Sequence, residues 1–154
     1  MISLHLGIFQ QLDLVGVCQL GYGTRPRQTI KHLFPSLDTP DYWEIGRLCL
    51  LEDMPHNSET QSLSQIIGYV KAHFPAKKVI FTWADGLRGK PGYIYQAASF
   101  LYGGYIRSEF YARPDGEIVH PRLLVTRFGT RSMEEMVKHN LVKYWGKQFR
   151  YVKF

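Results

Sequence analysis

The chain has 154 residues, 45% of them apolar and 21% charged, a composition that excludes a disordered or fibrous polypeptide and fits a folded globular protein with its own core, while the order of its predicted elements is that of an α/β (α+β) fold. No stretch approaches ~20 consecutive apolar residues, and Met1-Ile2-Ser3-Leu4-His5 lacks the basic flank and apolar core of a signal peptide, so the sequence reads as one soluble domain over residues 1–154, in the cytoplasm and without membrane contact. The formal net charge is +6 and lies mostly in the last third, where from Arg107 onward ten Lys/Arg stand against five Asp/Glu. That excess is interleaved with Phe110, Tyr111, Tyr144, Trp145, Phe149 and Tyr151, a mixture that suits nucleic acid, whose phosphates are anionic and whose bases stack, as well as a solvated basic surface.

Leu4–Phe9 and Leu14–Leu20 are apolar runs separated by Gln10-Gln11-Leu12-Asp13, and they predict an antiparallel hairpin. Gly21 to Arg27 is turn-rich, and its arginines Arg25 and Arg27 are either anion-holding residues or part of a plain loop. Thr29–Leu33 has room for one helical turn before Pro35, and Ser36–Tyr42 reads as an exposed loop of the sort that forms substrate-facing flaps. Glu44–Leu50 predicts a buried strand, followed by a corner at Glu52–Ser58. Ser58-Glu59-Thr60-Gln61 fits a capping box, and Leu63, Ile66, Ile67, Val70 and Phe74 recur at helical steps until Pro75 stops them.

Lys78–Trp83 has the Val-Ile-Phe-Thr-Trp content of a central strand and leads into Ala84-Asp85-Gly86. Strand, helix, strand predicts a crossover unit, with polar groups gathered beyond its strands' carboxyl ends. A second helix is expected after Gly92, burying Tyr93, Ile94, Ala97, Ala98 and Leu101 and ended by Gly103-Gly104. Tyr105–Tyr111 alternates as a strand, Arg113-Pro114-Asp115-Gly116 is a turn, and Leu123–Phe128 predicts another strand. Ser132-Met133-Glu134-Glu135 is a second capping box, opening a helix to about Asn140, and Tyr144–Phe154 reads as an extended basic tail. Cys18 and Cys49 sit in apolar runs with no partner at metal-ligand spacing, as buried thiols of a reducing compartment.

Gly46-Arg47-Leu48-Cys49-Leu50, Asp53-Met54-Pro55-His56-Asn57-Ser58-Glu59, Thr82-Trp83-Ala84-Asp85-Gly86, and Gly92-Tyr93-Ile94-Tyr95-Gln96-Ala97 with Phe100-Leu101-Tyr102-Gly103-Gly104 resemble, in order, the motifs of the Mom family of bacteriophage DNA-modification proteins. The resemblance covers roughly residues 4 to 128. It implies a GCN5-related N-acetyltransferase-like mixed sheet flanked by helices, lacking part of the usual N-terminal region, and a DNA-modifying transferase that carbamoylmethylates adenine N6 in double-stranded phage DNA against host restriction. It also implies a further N-terminal segment with a His-Tyr element, so this chain reads as a shortened form. The superfamily's glycine-rich pyrophosphate loop has no counterpart at Glu52–Ser58, where Glu52, Asp53 and Glu59 are acidic. That departure speaks against acetyl-coenzyme A, the cofactor implied by the fold, and leaves the donor open.

Among the matching motifs, Arg47, Ser58, Asp85 and Tyr95 are the candidate catalytic residues. Arg47 on an apolar strand needs an anionic partner, either a ligand or Asp85 or Glu44. Ser58 is a helix cap or a catalytic hydroxyl. Asp85 either accepts a proton from, or positions, the adenine amine, or caps the next turn. Tyr95 is a general acid, a stacking platform for a flipped base, or core. His5, His56 and Asp85 are a possible iron site, although no spacing requires a metal. Lys143, Lys147 and Arg150, with Arg25 and Arg27, are the expected phosphate contacts. A small-molecule or peptide N-acyltransferase and a non-catalytic DNA-binding relative are the alternatives. Arg47, Asp85 and Tyr95 are expected to line one cleft.

Overall fold

The alternation at the start of the chain forms two antiparallel strands, β1 (Ile2–Gln10) and β2 (Asp13–Gly21), joined at Gln11-Leu12 with Gln11 at a positive φ of 57°. A computed structural model describes residues 2–23, 31–119, 121–130 and 132–154; the expectations for Arg25, Arg27 and Thr29 fall outside the described residues. Strand β3 (Tyr42–Leu50) pairs antiparallel with β2, helix α1 (Ser58–His73) crosses over, and β4 (Val79–Asp85) returns parallel to β3, which is the expected crossover unit. A 3-10 turn at Gly86–Arg88 and a five-residue helix α2 (Tyr93–Ala97) lead to β5 (Leu101–Ala112) and the short β6 (Ile118–Val119). Helices α3 (Pro121–Phe128) and α4 (Met133–Lys138) precede the last strand, β7 (Val142–Lys153). The architecture is mixed α+β. Its sheet runs β1-β2-β3-β4-β7-β5-β6, antiparallel except between β3 and β4.

Helix α1 buries the stripe that its sequence advertises. Leu63, Ile66, Ile67 and Val70 pack on Trp43, Ile45 and Ile80, each burial contributing about 2 kcal/mol. Ala98, Phe100 and Tyr151 continue this core beneath α2. On the opposite face Tyr42, Val79, Phe81 and Val152 form a second core, covered by Leu33, Phe34 and Leu37. Lys78 pairs with Asp41 at 2.9 Å and Lys77 donates to the Pro40 carbonyl, so the Ser36–Tyr42 segment is tied down rather than a free flap. A third core, Tyr111, Val119, Leu124, Met136 and Leu141, joins the far end of β5 to α3 and α4.

Four expectations are corrected. Ser58 does not cap α1: Asn57 is the cap, at φ 69°, and the Ser58 hydroxyl donates to the Pro55 carbonyl at 2.7 Å. Helix α2 ends at Ala97; Tyr93 and Leu101 are exposed, and Gly103-Gly104 lies within β5, where the register slips between Tyr102 and Tyr105. Leu123–Phe128 is helical, because only one side of it has a core to meet: Leu124 is buried while Leu123 and Val125 face solvent. The basic tail is extended, as expected, and it forms an interior strand, held by β4 on one edge and β5 on the other. Cys49 is exposed; Cys18 is buried, and burial, with Cys49 adding, pushes its thiol up to about 12.

Burial raises the Glu44 carboxyl above its usual range, partly offset by a hydrogen bond from Trp83. A carboxyl raised by folding contributes stability below its unfolded pKa that is lost as pH rises through the folded value. Glu44→Gln therefore stabilises the protein at pH 7 and changes little at pH 3, where both states are protonated; urea midpoints at the two pH values check this.

Candidate functional site

The β3–β4 ladder is short. Its rungs run from Tyr42 opposite Val79 to Ile45 opposite Thr82, after which β3 continues along β2 and β4 along β7. At the last rung the Thr82 hydroxyl donates to the Ile45 carbonyl at 3.1 Å. Gly46 forms a bulge there, since Leu20 faces Ile45 while Gln19 faces Arg47. Tyr95 reaches this point from α2. Burial raises its phenol above the usual range, against a hydrogen bond with Thr82, so the hydroxyl keeps its proton at neutral pH. Its ring lies 5.5 Å from Tyr151 and 5.7 Å from Phe100.

Arg47 and Asp85 lie beyond the last rung on the other face, because Leu48 and Ala84, their neighbours in the alternation, point into the α1 core. Arg47 is exposed and has no ion pair among the described residues. Asp85 accepts from the Leu87 amide at 3.1 Å and meets Arg88 at 3.6 Å, so it caps the turn that follows. Ser58 lies at the start of α1, in a recess of about 210 Å³ with Gln61, Ser62 and Gln65. The single cleft expected for Arg47, Asp85 and Tyr95 does not form, since the sheet separates Tyr95 from the other two. Among the described residues no group of three His, Cys, Asp or Glu side chains gathers as a metal site, so His5, His56 and Asp85 do not come together.

Side chains to which the sequence assigned no catalytic or pocket role build a second feature. Pro91, Gln96, Phe100, Tyr102, Phe149 and Tyr151 bound a recess of about 360 Å³ on the α2 side of the sheet. Register places Tyr102 opposite Tyr151, and the Tyr102 ring lies 5.9 Å from Tyr151 and 6.4 Å from Phe149. The Tyr151 hydroxyl donates to the Pro91 carbonyl and accepts from Gln96 Nε2 at 2.8 Å. Asp85 and Pro91 stand at the two ends of one loop, whose Lys90 amide donates to the Asp85 carbonyl.

From this recess the paired strands β5 and β7 extend as a ribbon past the end of β4. Lys147 lies 4.5 Å from the Tyr105 ring centroid, with exposed Arg107 as its cross-strand neighbour. Further along, Lys143 pairs with Glu109 at 2.6 Å and lies over the exposed Trp145 ring. Arg150 is different. It is only 6% exposed, donates twice to the Gly103 carbonyl and covers the Trp83 ring, so it does not reach the surface expected of a phosphate contact.

Comparison with known proteins decides the family. The model of the Mom protein family matches residues 1–154. The chain belongs to the Mom family. It is 34% identical over 154 residues to the methylcarbamoylase Mom of Escherichia phage Mu, an alignment that covers 98% of the chain and spans 63% of the length of that relative.

In this Mom-family chain the Glu52–Glu59 corner does not fit a pyrophosphate. Asn57 rather than glycine takes the left-handed turn, the Ser58 amide is engaged by the Pro55 carbonyl, and Glu59 places a carboxylate in the first turn of α1. Calorimetric titration with acetyl-coenzyme A is therefore expected to show no micromolar binding, a free energy of about 8 kcal/mol.

Gly92 holds the aromatic recess in shape. It has φ 92°, and a Cβ there would lie 2.4 Å from the Tyr151 ring and 3.0 Å from Ala84. Gly92→Ala is expected to destabilise the protein by about 1–3 kcal/mol through backbone strain, read from urea unfolding.

Proposed function

We propose that this chain is a DNA-modifying transferase that places a carbamoylmethyl group on the N6 amine of adenine, with the β5–β7 ribbon holding the DNA. The observation that carries this reading is the ribbon itself. Lys147 and Arg107 stand beside Tyr105, and Lys143 stands over Trp145, on paired strands with exposed aromatic faces. Cations neutralise phosphates and release their counterions, while flat aromatic faces accept bases. Membership of the Mom family and the identity to the phage Mu methylcarbamoylase support adenine modification as the chemistry.

The fold on this reading is GCN5-related N-acetyltransferase-like, supported by one parallel pair that parts beyond Ile45 and Thr82 within an otherwise antiparallel sheet. In the cytoplasm of an infected host, such modification of double-stranded DNA shields it from restriction. The amine loses a proton as its nitrogen is substituted. Water at the open mouth of the recess takes it, while Asp85, on the other face, holds the loop that ends in the recess wall, and the protonated Tyr95 hydroxyl, beside Thr82, steadies the parallel pair behind the recess floor. Arg47, exposed on the other face of the sheet, takes no part in this reading, and Ser58 holds the start of α1. No helix among the described residues is long and apolar enough to cross a membrane.

Reversing Lys147 and Arg107 together to Glu lowers affinity about equally for unrelated duplexes and reduces the slope of log affinity against log salt by about two. Fluorescence anisotropy at several salt concentrations reads both. Asp85→Ala, which removes the cap of the loop leading to Pro91, leaves that affinity in place and lowers the yield of modified deoxyadenosine, as scored by nucleoside mass spectrometry. Unchanged binding in the double reversal would show the ribbon to be only a solvated surface.

A further inference from the structure

Modification of N6 poses a steric problem that the ribbon does not answer. The amine is hydrogen-bonded inside the base pair and flanked by stacked neighbours, so a protein that reacts with it must take the base out of the duplex. We infer that the recess bounded by Pro91, Gln96, Phe100, Tyr102, Phe149 and Tyr151 is the pocket for the extruded adenine, an inference that rests on the DNA reading above.

Three features of the recess match that ligand. Its volume, about 360 Å³, falls toward the small end of ligand pockets, which run from about 300 to 1,000 Å³, as suits a single ring system. Its walls are aromatic: Tyr151 and Phe100 are 3% and 5% exposed and form a fixed floor, while Tyr102, 57% exposed, stands free at the rim to cover an incoming base. Base–aromatic stacking of this kind is worth about 1–3 kcal/mol per base.

The third feature is a polar reader. The Tyr151 hydroxyl spends its proton on the Pro91 carbonyl, so toward Gln96 it is an acceptor and holds the carboxamide by its Nε2. That orientation leaves Gln96 Oε1 as the outward group, and it has no hydrogen bond among the described residues. An outward carbonyl oxygen accepts a hydrogen bond from the exocyclic amine of adenine and opposes guanine, whose corresponding group is itself an acceptor.

Position agrees with chemistry. Tyr102 continues along β5 to Tyr105 and Arg107, and Phe149 along β7 to Lys147, so the recess opens where the ribbon begins. Tyr95 packs behind the floor, its ring 5.5 Å from that of Tyr151 and 5.7 Å from that of Phe100.

Three labelled probes test the pocket by fluorescence anisotropy at one salt concentration: a fully paired duplex, the same duplex with one adenine opposite an abasic site, and that duplex with guanine replacing the unpaired adenine. An unpaired base costs less to extrude, so the wild-type chain is expected to bind the unpaired-adenine duplex about tenfold more tightly than either of the others. Tyr102→Ala and Gln96→Ala alter exposed side chains and spare the fold. Each is expected to lose that preference while keeping the affinity for paired duplex, whereas Lys147→Glu weakens all three alike. A wild-type chain that binds the three probes equally, or variants that keep the preference, would overturn the pocket and leave the DNA reading standing. Absence of binding to any probe would overturn both.

Discussion

Strand β7 is the last to be reached along the chain, yet it fills the gap between β4 and β5, and without it those strands have no common partner. Tyr151 concentrates this dependence. Its ring meets Tyr95 and Tyr102, its hydroxyl links Pro91 to Gln96, and its Cα lies opposite Thr82 on one side and Tyr102 on the other. One residue thus joins the parallel strand, the short helix, the loop that starts at Asp85 and the ribbon. The recess exists because β7 brings Phe149 and Tyr151 to the ring of Tyr102.

The two faces of β7 carry different duties. Arg150 points into the core that Phe34 and Leu37 cover, where burial lowers its pKa and the Gly103 carbonyl takes two of its donors. A guanidinium this buried costs several kcal/mol to desolvate unless it is hydrogen-bonded, and here the register slip in β5 leaves the Gly103 carbonyl available to it. Lys147 and Lys143 lie on the opposite face and rest their ammonium groups over aromatic rings. The basic excess of the sequence is therefore divided between a structural cation and a surface set, a division that net charge cannot reveal.

Local signals carried the hairpin, the crossover of β3, α1 and β4, and the buried stripe of α1, since each is written in the spacing of neighbouring residues. The failures share a cause. Leu123–Phe128 is a short apolar run, and periodicity over six residues does not separate strand from helix until a core on one side is known. Gly103-Gly104 carries the usual helix-stop signal, but Gly104, at φ 87°, serves a strand irregularity instead. Tyr144–Phe154 alternates as a strand does, and nothing within it names partners that lie near residues 80 and 105. For the site, Asp85 and Tyr95 were legible as polar groups after a strand and on a helix. Their placement on opposite faces was not, because it depends on the depth of the ladder that ends at Ile45 and Thr82. Tyr102 was legible only as a motif residue, and Phe149 and Tyr151 only as aromatics of a basic segment, since nothing local says that β5 and β7 bring them to one recess.

The central claim is that nucleic acid lies on the α2 side of the sheet, along β5 and β7 and over the recess, and not on the Arg47 side. Photocrosslinking of a bound duplex carrying halogenated pyrimidines, with the crosslinked peptides mapped by mass spectrometry, tests it most directly. Crosslinks concentrated at Tyr102, Tyr105 and Trp145 are the predicted result. Crosslinks concentrated instead around His5, Gln19 and Arg47 would contradict it.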